Sequence, residues 1–83
     1  MMRVLRVKVE VKLKAVVLDP QGKTVLGALH NLGYLEVQET RIGKLIELTV
    51  KDKSEQKVRE RVEEMCKKLL SNPVIEDFVI KIE

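Results

Sequence analysis

From Leu5 to Leu13 the chain alternates: Leu5, Val7, Val9, Val11 and Leu13 are separated by Arg6, Lys8, Glu10 and Lys12. A period of two puts successive side chains on opposite faces of a strand, so this segment is expected to lay an apolar row on a core and a charged row in water. After the turn signal Asp19-Pro20-Gln21-Gly22 the period lengthens. Val25, Ala28, Leu29 and Leu32 recur at helical spacing until Gly33 supplies a stop, which predicts a helix over Lys23 to Leu32. Residues from Leu35 to Val50 are β-forming, but their apolar parity switches from odd (Leu35, Val37) to even (Ile46, Leu48, Val50). One straight strand does not allow that switch. Two strands are expected, Leu35 to Arg41 and Lys44 to Lys51, with a tight hairpin or a bulge at Ile42-Gly43-Lys44.

Asp52 and Glu55 are spaced like a capping box, Ser54 is a second candidate cap, and Val58, Val62, Met65, Cys66, Leu69 and Leu70 form an apolar helical stripe. A second helix is therefore expected to run to about Leu70, where Pro73 prevents continuation. Val74 to Ile82 returns to alternation at Phe78, Ile80 and Ile82, which predicts a last strand. The order β-α-β-β-α-β is that of an α+β, ferredoxin-like fold: an antiparallel sheet with two helices on one face, in a single domain over residues 1–83. The opposite face would carry Arg6, Lys8, Glu10 and Lys12 beside Leu45, Glu47, Val79 and Lys81. It is either solvated or a dimer surface. A core this small tilts the expectation toward self-association, as a homodimer or a higher homo-oligomer.

Composition narrows the function classes. With 45% hydrophobic and 35% charged residues, the chain is not of the disordered class. No apolar run approaches membrane-spanning length, and the basic N-terminus lacks a signal peptide's apolar core, so no membrane is expected and the cytoplasm is the default location. A net charge of +3 arises from 16 basic and 13 acidic residues interleaved along the chain. With only Tyr34 and Phe78 as aromatics, no stacking platform for nucleic acid is expected. Abundant Lys, Glu, Val and Ile hint at a thermophilic source.

Candidate chemistry is sparse. The one His and the one Cys, His30 and Cys66, are far apart and match no metal-ligand spacing. Cys66, within VEEMCKKLL, reads as a small core residue, and His30 as a residue at a helix end near exposed carbonyls. The four glycines are dispersed, so no phosphate loop is present. In TRIGK, Gly43 would permit a hairpin whose tip carries Arg41 and Lys44, suited to an acidic partner or a phosphate; a solvated tip is the other reading. In DPQG, Pro20 sets a corner, Asp19 accepts backbone hydrogen bonds and Gly22 allows an unusual dihedral, while Gln21 is free to project outward.

The three stretches LDPQGKTVLGALHNLGY, VQETRIGKLIEL and MCKKLLSNPVIEDF, in this order, resemble the PurS family, the small subunit of phosphoribosylformylglycinamidine synthase. The resemblance spans nearly the whole chain. It implies a non-catalytic, cytoplasmic subunit of de novo purine biosynthesis that joins a large synthetase subunit and a glutaminase subunit and supports ammonia transfer. Cofactors are then expected to be none in this subunit, with ATP and magnesium serving the synthetase partner. Asp19, Pro20, Gln21 and Gly22 match the family's DPQG corner, Arg41, Gly43 and Lys44 its RxGK segment, and Asn72 to Glu76 the turn after the second helix. Asp19, Gln21, Arg41, Lys44 and Asn72 are accordingly the candidate partner-binding residues. Thr40 stands where many relatives carry a branched apolar residue. Two rival readings remain at this point: a free-standing ferredoxin-like regulatory domain that binds a small metabolite, and a small acylphosphatase-like enzyme, for which no cradle with a water-orienting side chain can be assembled.

Overall fold

The structure, a computed structural model, describes residues 2–83. Its elements are β1 (Arg3–Leu13), α1 (Pro20–Asn31), β2 (Gly43–Asp52), α2 (Glu55–Met65), a π-helical stretch continuing α2 over Cys66–Leu70, and β3 (Glu76–Ile82). β1 is the central strand of a three-stranded antiparallel sheet, order β2-β1-β3, with Val7 opposite Leu48 on one side and Ile82 on the other. The alternation seen in the sequence decides which face is buried. Leu5, Val7, Val9 and Val11 form a closed row against Val58, Val62 and Cys66 of the second helix, and Ile46, Leu48, Val50, Phe78, Ile80 and Ile82 extend this core to both edge strands. Burying each such valine stabilises the fold by roughly 1.5–3 kcal/mol.

The α+β class holds, with an antiparallel sheet and two helices. Three expectations about its parts need correction. Residues Leu35–Arg41 form no strand: turns occupy Leu35 and Glu36, and the following backbone joins no ladder. Its polar groups are used elsewhere, with the Val37 carbonyl taken by His30 and the Ile42 N–H by Asp19. Ile42-Gly43-Lys44 is therefore no hairpin, and Gly43 opens β2 opposite Lys12. Second, only α2 packs on the sheet. In α1 Gly22 alone is buried, and the helix extends away from the core in a molecule 54 × 25 × 14 Å. The radius of gyration is 16.5 Å, where a compact chain of this length would have about 12 Å. Third, Ser54 is the N-cap of α2, accepting from the Lys57 N–H at 3.3 Å. Asp52, expected to begin a capping box, instead accepts from the N–H groups of Lys53 and Ser54.

Residues 14–42 thus make an arm that leaves the sheet after β1 and returns at β2. At its far end Gly33 adopts φ 100°, and the Tyr34 N–H donates to Leu29, closing α1 as the sequence indicated. His30 Nε2 donates to the Val37 carbonyl at 2.7 Å. This ties the returning chain back to the helix: His30 stands in the last turn, as expected, and the carbonyl it meets is that of Val37 beyond the helix.

Candidate functional site

The root of the arm is where the sequence motifs converge. Asp19 is the N-cap of α1, only 5% exposed, and its carboxylate has two backbone partners: Oδ1 accepts from the Gly22 N–H at 2.9 Å and Oδ2 from the Ile42 N–H at 2.8 Å. One side chain therefore starts the helix and holds the chain entering β2. The hydrogen bonds from Ile42 and then Gly22, with the Arg41 guanidinium adding to them, keep this carboxyl below the usual carboxylate range.

α1 begins at Pro20, three residues earlier than the apolar period alone indicated, because a proline suits the first helical position, where no N–H is needed. Gly22 is helical, so its role differs from the unusual dihedral expected of it. A Cβ there would collide with the Thr40 carbonyl oxygen and lie 2.8 Å from Asp19 Oδ2. Its lack of a side chain lets the returning chain cross the helix start.

Arg41 is not at an exposed tip. Its guanidinium is part-buried: Nη2 donates to the carbonyls of Lys14 at 2.9 Å and Leu13 at 3.2 Å, and both terminal nitrogens lie 3.4 Å from that of Val17. A fork of fixed donors closes the loop between β1 and α1. The motif residue expected to reach outward thus faces inward, and Lys44, on exposed β2, remains as the outward cation.

Two open hollows of about 430 Å³ flank this root. Asp19 borders both. One is shared with Gln21, Lys44, Lys12 and Glu76, so the structure gathers three of the five candidate residues, Asp19, Gln21 and Lys44, around one depression. Asn72 borders neither. It organises the turn before β3, its Oδ1 accepting from the Val74 N–H, and its own N–H donates to Glu76 Oε1 at 2.7 Å. The second hollow lies between Val16, Leu18 and Leu26 and the returning residues Gln38 to Arg41. Thr40 Oγ1 there is buried with no hydrogen-bond partner. The departure noted at Thr40 thus falls on a real packing position.

Motif reasoning did not single out the arm's apolar surface. Val16 is 92% exposed, Leu18 61%, Leu32 73% and Leu35 72%, with Tyr34 and Val25 also uncovered. The available signal was Ala15-Val16-Val17-Leu18, an apolar run in a loop where no strand or helix accounts for it. Elsewhere the chemistry is quiet. Cys66 is buried in the core, and burial, with Glu63 nearby, pushes its thiol above the usual value, away from the reactive thiolate. Among the described residues no cluster of three His, Cys, Asp or Glu is placed to hold a metal ion, and no helix is long and apolar enough to cross a membrane.

Comparison with known proteins agrees with the motifs. The PurS family model, described as phosphoribosylformylglycinamidine (FGAM) synthase, matches residues 6–83. The chain is similar to the phosphoribosylformylglycinamidine synthase subunit PurS of Bacillus subtilis, with 54% identity over 78 residues, 94% of this chain and 92% of the relative. It is 51% identical over 73 residues to the subunit of that name from Methanocaldococcus jannaschii, covering 88% of each. Among solved structures, a chain in the structure of PurLQS from Thermotoga maritima superposes with a TM-score of 0.90 at 31% identity, over 98% of this chain and 99% of that one.

Proposed function

This chain belongs to the PurS family, and from that membership we propose that it is the non-catalytic small subunit of a phosphoribosylformylglycinamidine synthase in de novo purine biosynthesis. The reading rests on one observation above others: the family match runs through residues 6–83. Its partners are a synthetase subunit, which uses ATP and magnesium to convert formylglycinamide ribonucleotide to formylglycinamidine ribonucleotide, and a glutaminase subunit, which releases the ammonia. The chain itself takes no cofactor and works in the cytoplasm.

Physical chemistry explains why such a reaction needs an adaptor. Ammonia released into bulk water is protonated and diluted, so the two active sites must be held in a closed, oriented assembly. An arm rooted by Asp19 and Arg41, with Val16, Leu18, Leu32 and Leu35 uncovered, supplies adhesive surface on a rigid base. Gln21 and Lys44, exposed beside the root, are the polar contacts assigned to the partners. The same arm supports self-association, since an apolar helix face extending from a small core gains from a second copy.

The test is amidation by the cognate synthetase and glutaminase, with and without this chain, using either glutamine or added ammonia as nitrogen source. The chain is expected to restore the glutamine-dependent reaction and leave the ammonia-dependent one unchanged. No response in the glutamine reaction would sink the reading. Lys44→Glu is expected to weaken assembly several-fold while the isolated subunit keeps its circular dichroism spectrum.

A further inference from the structure

We propose that the arm beyond its root, α1 and the chain returning to Thr40, is a separate folding unit that opens while the sheet stays intact, and that assembly holds it closed. At 12 residues α1 is marginal on intrinsic propensity, and the packing that normally supplies the rest is thin. None of its side chains joins the core, Leu26 and Leu29 are half-buried, and Val25 and the capping Leu32 are uncovered. Composition weakens the helix further. Thr24 and Val25 are β-branched, and Gly27 stands in the middle turn, where a Cβ would meet nothing within 4 Å. At Gly22 the Thr40 carbonyl demands a missing side chain; at Gly27 no neighbour does. The helix thus carries a destabilising residue for which its own packing gives no reason.

The bonds of the arm fall into two sets. At the tip the Tyr34 N–H donates to the Leu29 carbonyl, the Gly33 N–H to that of His30, and His30 Nε2 to that of Val37. All three join arm residues to arm residues, so they are lost together with the helix. At the root, Arg41 donates to the carbonyls of Leu13, Lys14 and Val17, and the Ile42 N–H donates to Asp19 Oδ2. This clasp joins the two ends of the arm to each other without using α1. Only the Asp19 carboxylate, whose Oδ1 accepts from the Gly22 N–H, belongs to both sets. Below the clasp the β1–β2 ladder starts with Lys12 opposite Gly43. Opening of α1 and the tip therefore leaves the clasp, the sheet and α2 in place. A unit with so little burial, on a base whose bonds survive its opening, lies at the low end of local stability. In the closed arm Val25, Leu32, Tyr34 and Leu35 are uncovered, so a surface that covers them adds its binding free energy to the closed form alone. That surface belongs to the partner subunits, a step that rests on the synthase reading, and the order of the arm is thereby coupled to assembly.

Native-state hydrogen exchange of the full chain, read by mass spectrometry of its peptides, tests both parts. Amides of α1 are expected to exchange about a hundredfold faster than those of β1, with a smaller dependence on urea. Val62→Ala, in the core, is expected to speed exchange in β1 and α2 and leave α1 untouched, because the core is still folded when the arm opens. Gly27→Ala is expected to slow exchange across α1 about fivefold, as a glycine-to-alanine change in a helix interior does. An α1 that speeds up with Val62→Ala opens only with the core, and one that Gly27→Ala does not slow is not opening by melting of the helix; either result overturns the proposal. With the cognate synthetase and glutaminase bound, α1 is expected to exchange about tenfold more slowly, and unchanged exchange in a complex that co-elutes also overturns it. The free chain is measured without partners, and the amidation assay reads the synthase function without reference to exchange, so the two fail separately.

Discussion

At the scale of single residues, three side chains at the root of the arm each do work that a motif match does not describe. Gly22 lets the Thr40 carbonyl cross the start of α1, so Gly22→Ala is expected to cost about 1–3 kcal/mol, read as a lower urea midpoint at unchanged slope. Arg41→Ala leaves the Leu13, Lys14 and Val17 carbonyls without their donor; a loss of about 1–3 kcal/mol and faster proteolysis between residues 14 and 18 are expected. Asp19 sets a pH dependence. Its pKa is depressed in the folded chain, so its contribution is fully present above the unfolded value of about 3.9 and is lost as pH falls through the folded value. Glu10 and Glu83, held down by Lys81 and Lys8, and Asp52, held down by the Ser54 and Lys53 N–H groups, act with the same sign. The difference between wild type and Asp19→Asn isolates the one group. It should be largest above pH 5 and shrink below pH 4 in chemical denaturation followed across that range.

At the scale of elements, α2 and β1 carry the core. Val58 and Val62 have no exposed surface, and Val62→Ala is expected to cost about 2–3 kcal/mol through lost burial and the cavity left behind. The helix reaches Leu70 only by widening to a π-helical last stretch, whose end is held by the Ser71 hydroxyl and N–H, both donating to the Cys66 carbonyl at 2.9 Å. The absent strand at Leu35–Arg41 is also an element-scale result. β-forming composition makes a strand only when the segment lies along a neighbour's edge; the outer edges of β2 and β3 are open, but the segment is held on the arm beside α1 and runs along neither. The segment instead follows the geometry that Asp19, His30 and Arg41 impose on it.

At the scale of the whole molecule, the shape follows from a sheet that holds one helix and releases the other. A chain of this size has little core to spare, and much of its apolar surface lies on the arm. Leu32→Glu and Leu35→Glu, made together, are expected to reduce the oligomer measured by light scattering while leaving helical content unchanged, because neither side chain contributes to the core. A double variant that keeps its oligomeric state would place self-association away from the arm.

Local pattern in the amino-acid sequence by itself determined most of the elements. The alternation in β1, the stop at Gly33 and the break at Pro73 depend on neighbours within a few residues and stand where the period or the breaker put them. Of the α2 stripe, Val58, Val62 and Cys66 are buried and Leu70 packs beside them, whereas Met65 and Leu69 are exposed because the helix widens to a π-turn there. The joint occurrence of three motifs likewise made the family legible. Tertiary structure alone decided where the pieces went. Whether α1 covers the sheet, whether Leu35–Arg41 pairs, and whether Arg41 points out or in depend on contacts between residues more than twenty positions apart, such as Asp19 with Ile42 and Arg41 with Val17. Periodicity records which face of a segment is apolar. It does not record what that face meets, and in this chain one such face meets nothing within the described residues.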